Sequence, residues 1–297
     1  MEGNINYSII VPHKNIPNLL QRCIESIPRR KDIQVIVIDD NSDPNLVNFD
    51  NFPGYGEECV EVVFTKKGKG AGYARNIGLS LAKGRWILFA DADDFYNDNL
   101  LETIDSYLDS EKDIIFFCVN CVYSENITKV ANRPGVQKLQ EYYELFKKNR
   151  KEAEYYYRYK FTEPWGKMIK KRLIDENKIY FDEVMVSNDY MFSVKTGFYS
   201  KSVDASNIAI YTLTLREGSL CYDFAQTYEK LEIKILVAAD VTLFFNSKRI
   251  SYSISPLRGL LVTLLKRKPK KFIPIIYLLH KKGLNVIKLL LEIFNHK

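Results

Sequence analysis

No stretch of this chain approaches the roughly 20 uninterrupted apolar residues that a bilayer-spanning helix requires. Its apolar side chains are therefore to be buried by folding or laid against a surface. Cysteine is scarce, five in 297 residues and odd in number, scattered as Cys23, Cys59, Cys118, Cys121 and Cys221. Only Cys118 and Cys121 share a C-x-x-C spacing, and neither a second pair nor a nearby histidine completes a zinc site. These thiols read as core residues in a reducing compartment, and a disulfide framework is excluded. The N-terminus, MEGNINYSIIVPHKN, has no basic-then-apolar leader, so no signal peptide is expected. Internal repeats and low-complexity segments are absent.

What is present is the composition of an ordered globular protein, 46% hydrophobic and 27% charged, long enough for one large α/β domain or two modest ones. The net charge of +6 is unevenly placed. From Lys248 to Lys297 twelve Lys and Arg stand against one acid, Glu292, which leaves the body of the chain net acidic. The two parts have different partners.

Short β-rich runs alternate with helical patterns through the first third. Tyr7–Pro12, Gln34–Ile38, Val60–Thr65, Trp86–Ala90 and Asp113–Val119 read as strands, with an amphipathic helix from Asn18 to Ile27 and another through Ala82 after the Gly-rich segment Lys66–Gly72. Strands separated by helices argue an α/β fold with a parallel sheet. Pro12 is expected to end the first strand. Beyond residue 125 the rhythm changes: Tyr142–Phe161 reads as helical, Ile179–Val186 as a turn and strand, Asp189–Tyr199 as a helix and Ile208–Leu213 as a strand. The run Tyr155-Tyr156-Tyr157 suits either packing or the flat face of a sugar.

The central stretch is WILFADADD, Trp86 to Asp94. A strand buried on both faces stops abruptly on Asp91, Asp93 and Asp94, at the C-terminal edge where open α/β sheets place ligands. Such crowding of carboxylates is either a solvated turn or a site for a hard divalent cation whose shell a substrate's phosphates complete. The tail offers three apolar stretches, Leu257–Leu265, Phe272–Leu279 and Leu284–Phe294, joined by KRKPKK and HKKG. This pattern fits helices at an anionic membrane surface. Packing on the domain, or on a second copy as a homodimer, is the competing use; nucleic acid is not expected, because the body is acidic and no nucleic-acid motif accompanies the charge.

Taken in order, SIIVPHKN, VIVIDDNSD, GAGYARNIG, DAD, EPWGK, the segment through Ser187-Asn188-Asp189 and YTLTLREGS resemble the GT-A-type glycosyltransferases of family 2, inverting enzymes of bacterial surface polysaccharide synthesis. The resemblance covers about residues 6 to 220. It implies a GT-A fold, a Rossmann-like, mixed and mainly parallel sheet flanked by helices, over residues 1–220, with a nucleotide-sugar half (1–95) and an acceptor half (96–220). A helical extension, 221–297, follows and is basic and amphipathic from 248.

By the same resemblance Pro12, Asp39, Asp40, Gly70, Arg75, Asp91, Arg216 and Ser219 bind the donor, a nucleotide sugar that family habit makes UDP-linked. Asp93 with Asp91 holds Mn²⁺ or Mg²⁺, and Asp189 is the base that deprotonates the hydroxyl of a glycan or lipid-linked saccharide. Trp165 and Asn188 stand on the acceptor side, Trp165 as a sugar platform, as support for the acceptor wall, or simply as core. The family usually carries Glu where Asn188 stands, and losing that charge implies a less basic or differently oriented Asp189. The implied enzyme works in the cytoplasm, on the inner face of the membrane. Two rival readings are a nucleotidyltransferase and a catalytically silent nucleotide-sugar-binding subunit of an assembly complex.

Overall fold

Runs of Ile and Val without polar alternation make strands that are covered on both faces. Three of them form the centre of this protein: β1 (Tyr7–His13), β2 (Ile33–Asp39) and β4 (Trp86–Phe89), every residue of which is buried. The structure, a computed structural model, describes residues 4–216, 227–251 and 257–294. β1 pairs in parallel with β2 and with β4, so that Ile10 lies between Ile36 and Phe89, and β3 (Val60–Phe64) extends the sheet beyond β2. The helices α1 (Pro17–Glu25) and α2 (Ala71–Leu81) connect these strands.

Pro12 does not end β1; it lies inside the strand opposite Ile38. Ile10 accepts the last bond from the β4 side, from Ala90 N–H. Two residues further along the same edge, Pro12 faces a place where β4 has already ended, and its missing N–H costs no ladder bond.

The second half departs from a purely parallel plan. After β5 (Phe95–Tyr96), α3 (Leu100–Asp105) and β6 (Ile114–Tyr123) come the edge strand β7 (Asn126–Val130), α4 (Pro134–Lys148) and α5 (Arg150–Tyr159). Then β8 (Lys167–Lys170) inserts antiparallel between β4 and β6, a strand the hydrophobic pattern did not mark. α6 (Lys171–Glu176), α7 (Tyr190–Tyr199) and β9 (Val203–Leu215) follow, β9 running parallel to β6 over its full length. Among the described residues the strands form one sheet in the order β3-β2-β1-β4-β8-β6-β9-β5, with β7 on β6.

The segment 179–186, expected to contain a strand, is irregular. It is held by side chains instead: Asn76 Nδ2 donates to Phe181 O, Asn76 Oδ1 accepts from Phe181 N, and the Phe181 ring stacks on Phe192 of α7 at 3.9 Å. The tyrosine run is packing: Tyr157 is buried and stacks on Phe116 at 4.8 Å, and Tyr156 stacks on Tyr142.

Beyond the sheet, α8 (Tyr228–Ser247) docks on α7, where Val241 and Phe245 meet Met191 and Val194. The helices α9 (Arg258–Arg267), α10 (Phe272–Lys281) and α11 (Val286–Phe294) close a second core on α8 with Leu261, Leu264, Ile275, Leu279 and Leu289 around Ile235.

Phe192 joins α7, the irregular segment and Phe89 of β4. Removing so large a buried ring costs about 3–5 kcal/mol. Phe192→Ala is expected to lose that much in urea unfolding; a loss below about 1 kcal/mol, the lower bound for felt core deletions, would show that the ring does not tie these elements together.

Candidate active site

The C-terminal ends of β1, β2 and β4 meet at one edge; those of β2 and β4 contribute acid, and that of β1 contributes His13 and Lys14. Asp39 is enclosed. Its carboxylate binds His13 Nδ1 at 2.8 Å and accepts Ser42 N–H and O–H. Because His13 Nε2 accepts Ile16 N–H, Nδ1 is the donor toward Asp39. Burial raises the Asp39 carboxyl, but the bonds from His13 and Ser42 prevail and hold it below the usual carboxylate range. Expected at the base, Asp39 instead welds the loop after β2 to β1. Asp40 accepts Lys69 N–H at 3.0 Å and Gly70 N–H at 2.8 Å, with Lys14 Nζ 3.6 Å away. It therefore anchors the Gly-rich segment and retains lone pairs for a ligand.

Gly70, at φ +94°, turns that segment into α2. One residue into the helix, a Cβ on Gly72 would overlap the Asp182 carbonyl oxygen and press on Asn188. The small residues of the motif thus let α2 approach the loop before Asp189. Arg75, on the first turns of α2, is only 5% exposed. Its Nη2 donates to Asp91 Oδ1 at 2.6 Å and its Nη1 to Asn188 Oδ1 at 2.9 Å, with the guanidinium over the Phe181 ring. It was expected to reach the diphosphate; in the fold its Nη1 and Nη2 each hold a side chain of the site.

The three acids after β4 divide their work. Asp94 is interior, accepting Tyr211 O–H at 2.9 Å and Thr214 N–H at 2.7 Å. The same Tyr211 oxygen accepts Asp91 N–H. Burial, with Asp93 and Asp91 nearby, pushes the Asp94 carboxyl well up. Asp91 and Asp93 remain partly open, their side chains 34% and 24% exposed. Burial and the neighbouring Asp91 raise the Asp93 carboxyl against the pull of Arg216, whose Nε lies 3.4 Å from Asp93 Oδ2. Arg22 on α1 and Thr214 Oγ1 both donate to the Asp93 carbonyl oxygen. Ser219 lies outside the described residues.

A hard divalent ion suits Asp91 and Asp93, two partly open carboxylates close enough for the Asp91 charge to raise the Asp93 carboxyl. Among the described residues no group of three His, Cys, Asp or Glu is arranged to hold a metal alone, so other oxygens would complete a shell there.

Asp189 stands at the N-cap position of α7, where its side chain makes no capping bond. Burial pushes its carboxyl up to about 6; Arg75 opposes the rise, while Glu163 and Asp91 add to it. Asn188, where the family usually carries Glu, accepts from Arg75 and adds no charge beside Asp189; the like charge there comes from Glu163 and Asp91. Trp165 is 4% exposed, stacked on Tyr211 and packed on Phe161. Its faces are taken, so it supports the wall rather than offering a platform. Sequence reasoning missed Tyr211, Arg22 and Glu163; Arg22 carries no local signal, whereas Tyr211 and Glu163 stood unassigned inside the YTLTLREGS and EPWGK motifs.

Residues 8–178 match the model of glycosyl transferase family 2. The chain belongs to this family. Among relatives of this family 2 glycosyl transferase, glycosyltransferase GlyG of Streptococcus pneumoniae is 25% identical over 87% of the chain and 83% of GlyG. Glycosyltransferase GlyA of the same organism is 26% identical over 72% of the chain, which spans 31% of GlyA. The poly(ribitol-phosphate) beta-N-acetylglucosaminyltransferase TarS of Staphylococcus aureus is 25% identical over 80% of the chain and 40% of TarS. The crystal structure of TarS 1–349 in complex with UDP-GlcNAc aligns with a TM-score of 0.61 at 20% identity, covering 89% of this chain and 74% of that one. The shared architecture is the GT-A fold.

The Asp189 carboxyl, ordinarily near 3.8, stands at about 6 in the fold. Between these values the folded protein holds a proton that the unfolded chain has released, so stability from this group is full at low pH and declines as pH rises through the window. Asp189→Asn removes that dependence. Relative to wild type, the variant is expected to gain stability from about pH 4 to about pH 6 and then stay level. Urea unfolding across pH measures this, and a difference constant with pH would contradict the assignment.

Proposed function

We propose that this family 2 glycosyl transferase moves a sugar from a UDP-sugar to a hydroxyl of a glycan or lipid-linked saccharide in bacterial surface polysaccharide assembly, with inversion at the anomeric carbon. The observation that carries the reading is the Asp91–Arg75–Asn188 bridge. It ties an open carboxylate on the donor edge to the loop that presents Asp189, whose basicity is tuned close to neutral. A UDP-sugar is favoured because TarS, a relative over most of this chain, was crystallised with UDP-GlcNAc.

Asp189 takes the proton from the acceptor hydroxyl as its oxygen forms a bond to the anomeric carbon. The bond from that carbon to the diphosphate breaks on the opposite side, and the nucleoside diphosphate departs with its electron pair. Asp91 and Asp93 would hold Mn²⁺ or Mg²⁺, which supplies positive charge opposite the departing diphosphate. Arg216 stands at Asp93, where its remaining N–H groups suit phosphate oxygens. Arg75 keeps Asp91 and the Asp189 loop in one register, and Asp40 with Gly70 shapes the wall beneath the nucleoside. The enzyme is placed on the inner face of the cytoplasmic membrane, where lipid-linked acceptors are assembled.

A screen of UDP- and GDP-sugars with Mn²⁺ or Mg²⁺, read as nucleoside diphosphate release with a membrane-lipid extract as acceptor source, tests the reading. One UDP-sugar is expected to turn over. Asp189→Asn should lower kcat by about 10²–10⁴ with donor affinity retained, and Asp93→Ala should abolish metal-dependent release. Tight donor binding without release under any acceptor condition would instead favour the silent subunit, and pyrophosphate from a nucleoside triphosphate would favour the nucleotidyltransferase. Since Asp189 must be ionised to act, kcat/KM is expected to rise about tenfold per pH unit below its pKa of about 6 and to level above it. A profile flat from pH 5 to pH 8, the range around a near-neutral base, would mean that the base lies elsewhere.

A further inference from the structure

The tail helices have two apolar faces, and the fold uses one. Phe272, Ile275 and Leu279 of α10, with Leu289 and Ile293 of α11, turn into the core on α8. On the outward face of α10 stand Ile273 and Tyr277, one turn apart, at 77% and 60% exposure; on that of α11 stand Ile287, Leu291 and Phe294, at i, i+4 and i+7 and each more than half exposed. Five of the thirteen large apolar residues exposed among the described residues therefore fall within these two helices. Scattered exposed apolar residues need no explanation, whereas residues repeated at helical spacing on the outward sides of two consecutive helices call for one.

The charge around this surface says what covers it. Lys270 and Lys271 precede Ile273, and Lys281 lies over the Tyr277 ring at 4.8 Å at the other end of α10. Lys266, Arg267 and Lys268 are exposed on the approach from α9, and Lys288 follows Ile287. Lys282 is spent inward on Asp240 of α8 at 2.6 Å. The only acid after Asp240 in the tail is Glu292. A second copy of this face would bring the same cations against each other, whereas an anionic lipid surface offers both apolar depth and opposite charge. No described helix is long and apolar enough to cross a membrane, so binding by this route is in the plane of the interface.

We infer that Ile273, Tyr277, Ile287, Leu291 and Phe294 form a membrane-insertion surface, flanked by Lys270 and Lys281, that seats the enzyme on anionic phospholipid, whereas Lys271 is drawn over the Tyr228 ring of α8 at 4.9 Å. This deepens the membrane placement above by naming the surface, and it leaves the transfer chemistry aside. The full chain is mixed with vesicles of phosphatidylglycerol and phosphatidylcholine, or of phosphatidylcholine alone, and binding is read by flotation without donor or acceptor. Binding to the anionic vesicles is expected, at least about tenfold weaker on neutral ones and weakened by salt. The combination Ile273→Ser, Ile287→Ser and Leu291→Ser should release the protein with an unchanged Tm, and Lys270→Glu with Lys281→Glu should weaken binding to anionic vesicles only. Nucleoside diphosphate release measured without vesicles should match wild type in both variants, so that failure of the insertion surface and failure of the transferase reading are told apart. No binding to anionic vesicles, equal binding to neutral ones, or a serine variant that abolishes a homodimer and leaves vesicle binding intact would each overturn the proposal.

Discussion

A single buried guanidinium organises this protein's candidate catalytic centre. Arg75 leaves α2 between two halves that have no covalent reason to stay in register, and its planar fork joins Asp91 after β4 to Asn188 before α7. A lysine could satisfy one of these groups at a time; the fixed geometry of guanidinium satisfies both. Its Nε has no hydrogen-bond partner, a cost the site carries while the other nitrogens are engaged and Phe181 covers the face. The glycine at 72 and the small residues beside it are what let α2 come close enough for the fork to reach.

Around that bridge, carboxylates with similar sequence surroundings acquire different properties. Asp39 is buried yet held ionised, because His13 and Ser42 donate to it. Asp94 is buried and pushed the other way by its acidic neighbours, although Tyr211 and Thr214 donate to it. Asp91 and Asp93 keep an open side and a mutual repulsion that a cation or a cationic ligand relieves. Asp189 is enclosed with little hydrogen bonding to its charged form, which sets its basicity near neutrality. Tyr211 is the hinge of this division: one hydroxyl accepts from the Asp91 backbone and donates to Asp94, so the first acid of the cluster is oriented by the burial of the last.

The helical extension is coupled to the same architecture. α7 begins at Asp189 and carries on its buried side the residues that receive α8. The tail core is built on α8 in turn. The tail helices are thereby joined, through α8 and α7, to the segment that carries Asp189.

Much of the fold could be read from the chain because its first strands are fully apolar and its motifs lie at strand ends. The Ile and Val runs of β1 and β2, the Trp86–Phe89 strand and the acids after it follow from burial on two faces and from the polarity change at the sheet edge. The motifs assigned family and fold, and the alternation of lysine clusters with short apolar runs marked the tail. Other features depended on long-range packing. β8 is four residues long and earns its place only by fitting between β4 and β6. Pro12 is tolerated in β1 because β4 ends first, and Trp165 is core because Tyr211 arrives beneath it from a strand more than forty residues later. Likewise Asp39, Asp40, Arg75 and Asp189 were singled out in the sequence by the motifs that carry the family resemblance. Which of them braces another side chain and which carries a raised or a lowered carboxyl was decided by tertiary structure, because desolvation and hydrogen-bond partners come from residues remote in the chain.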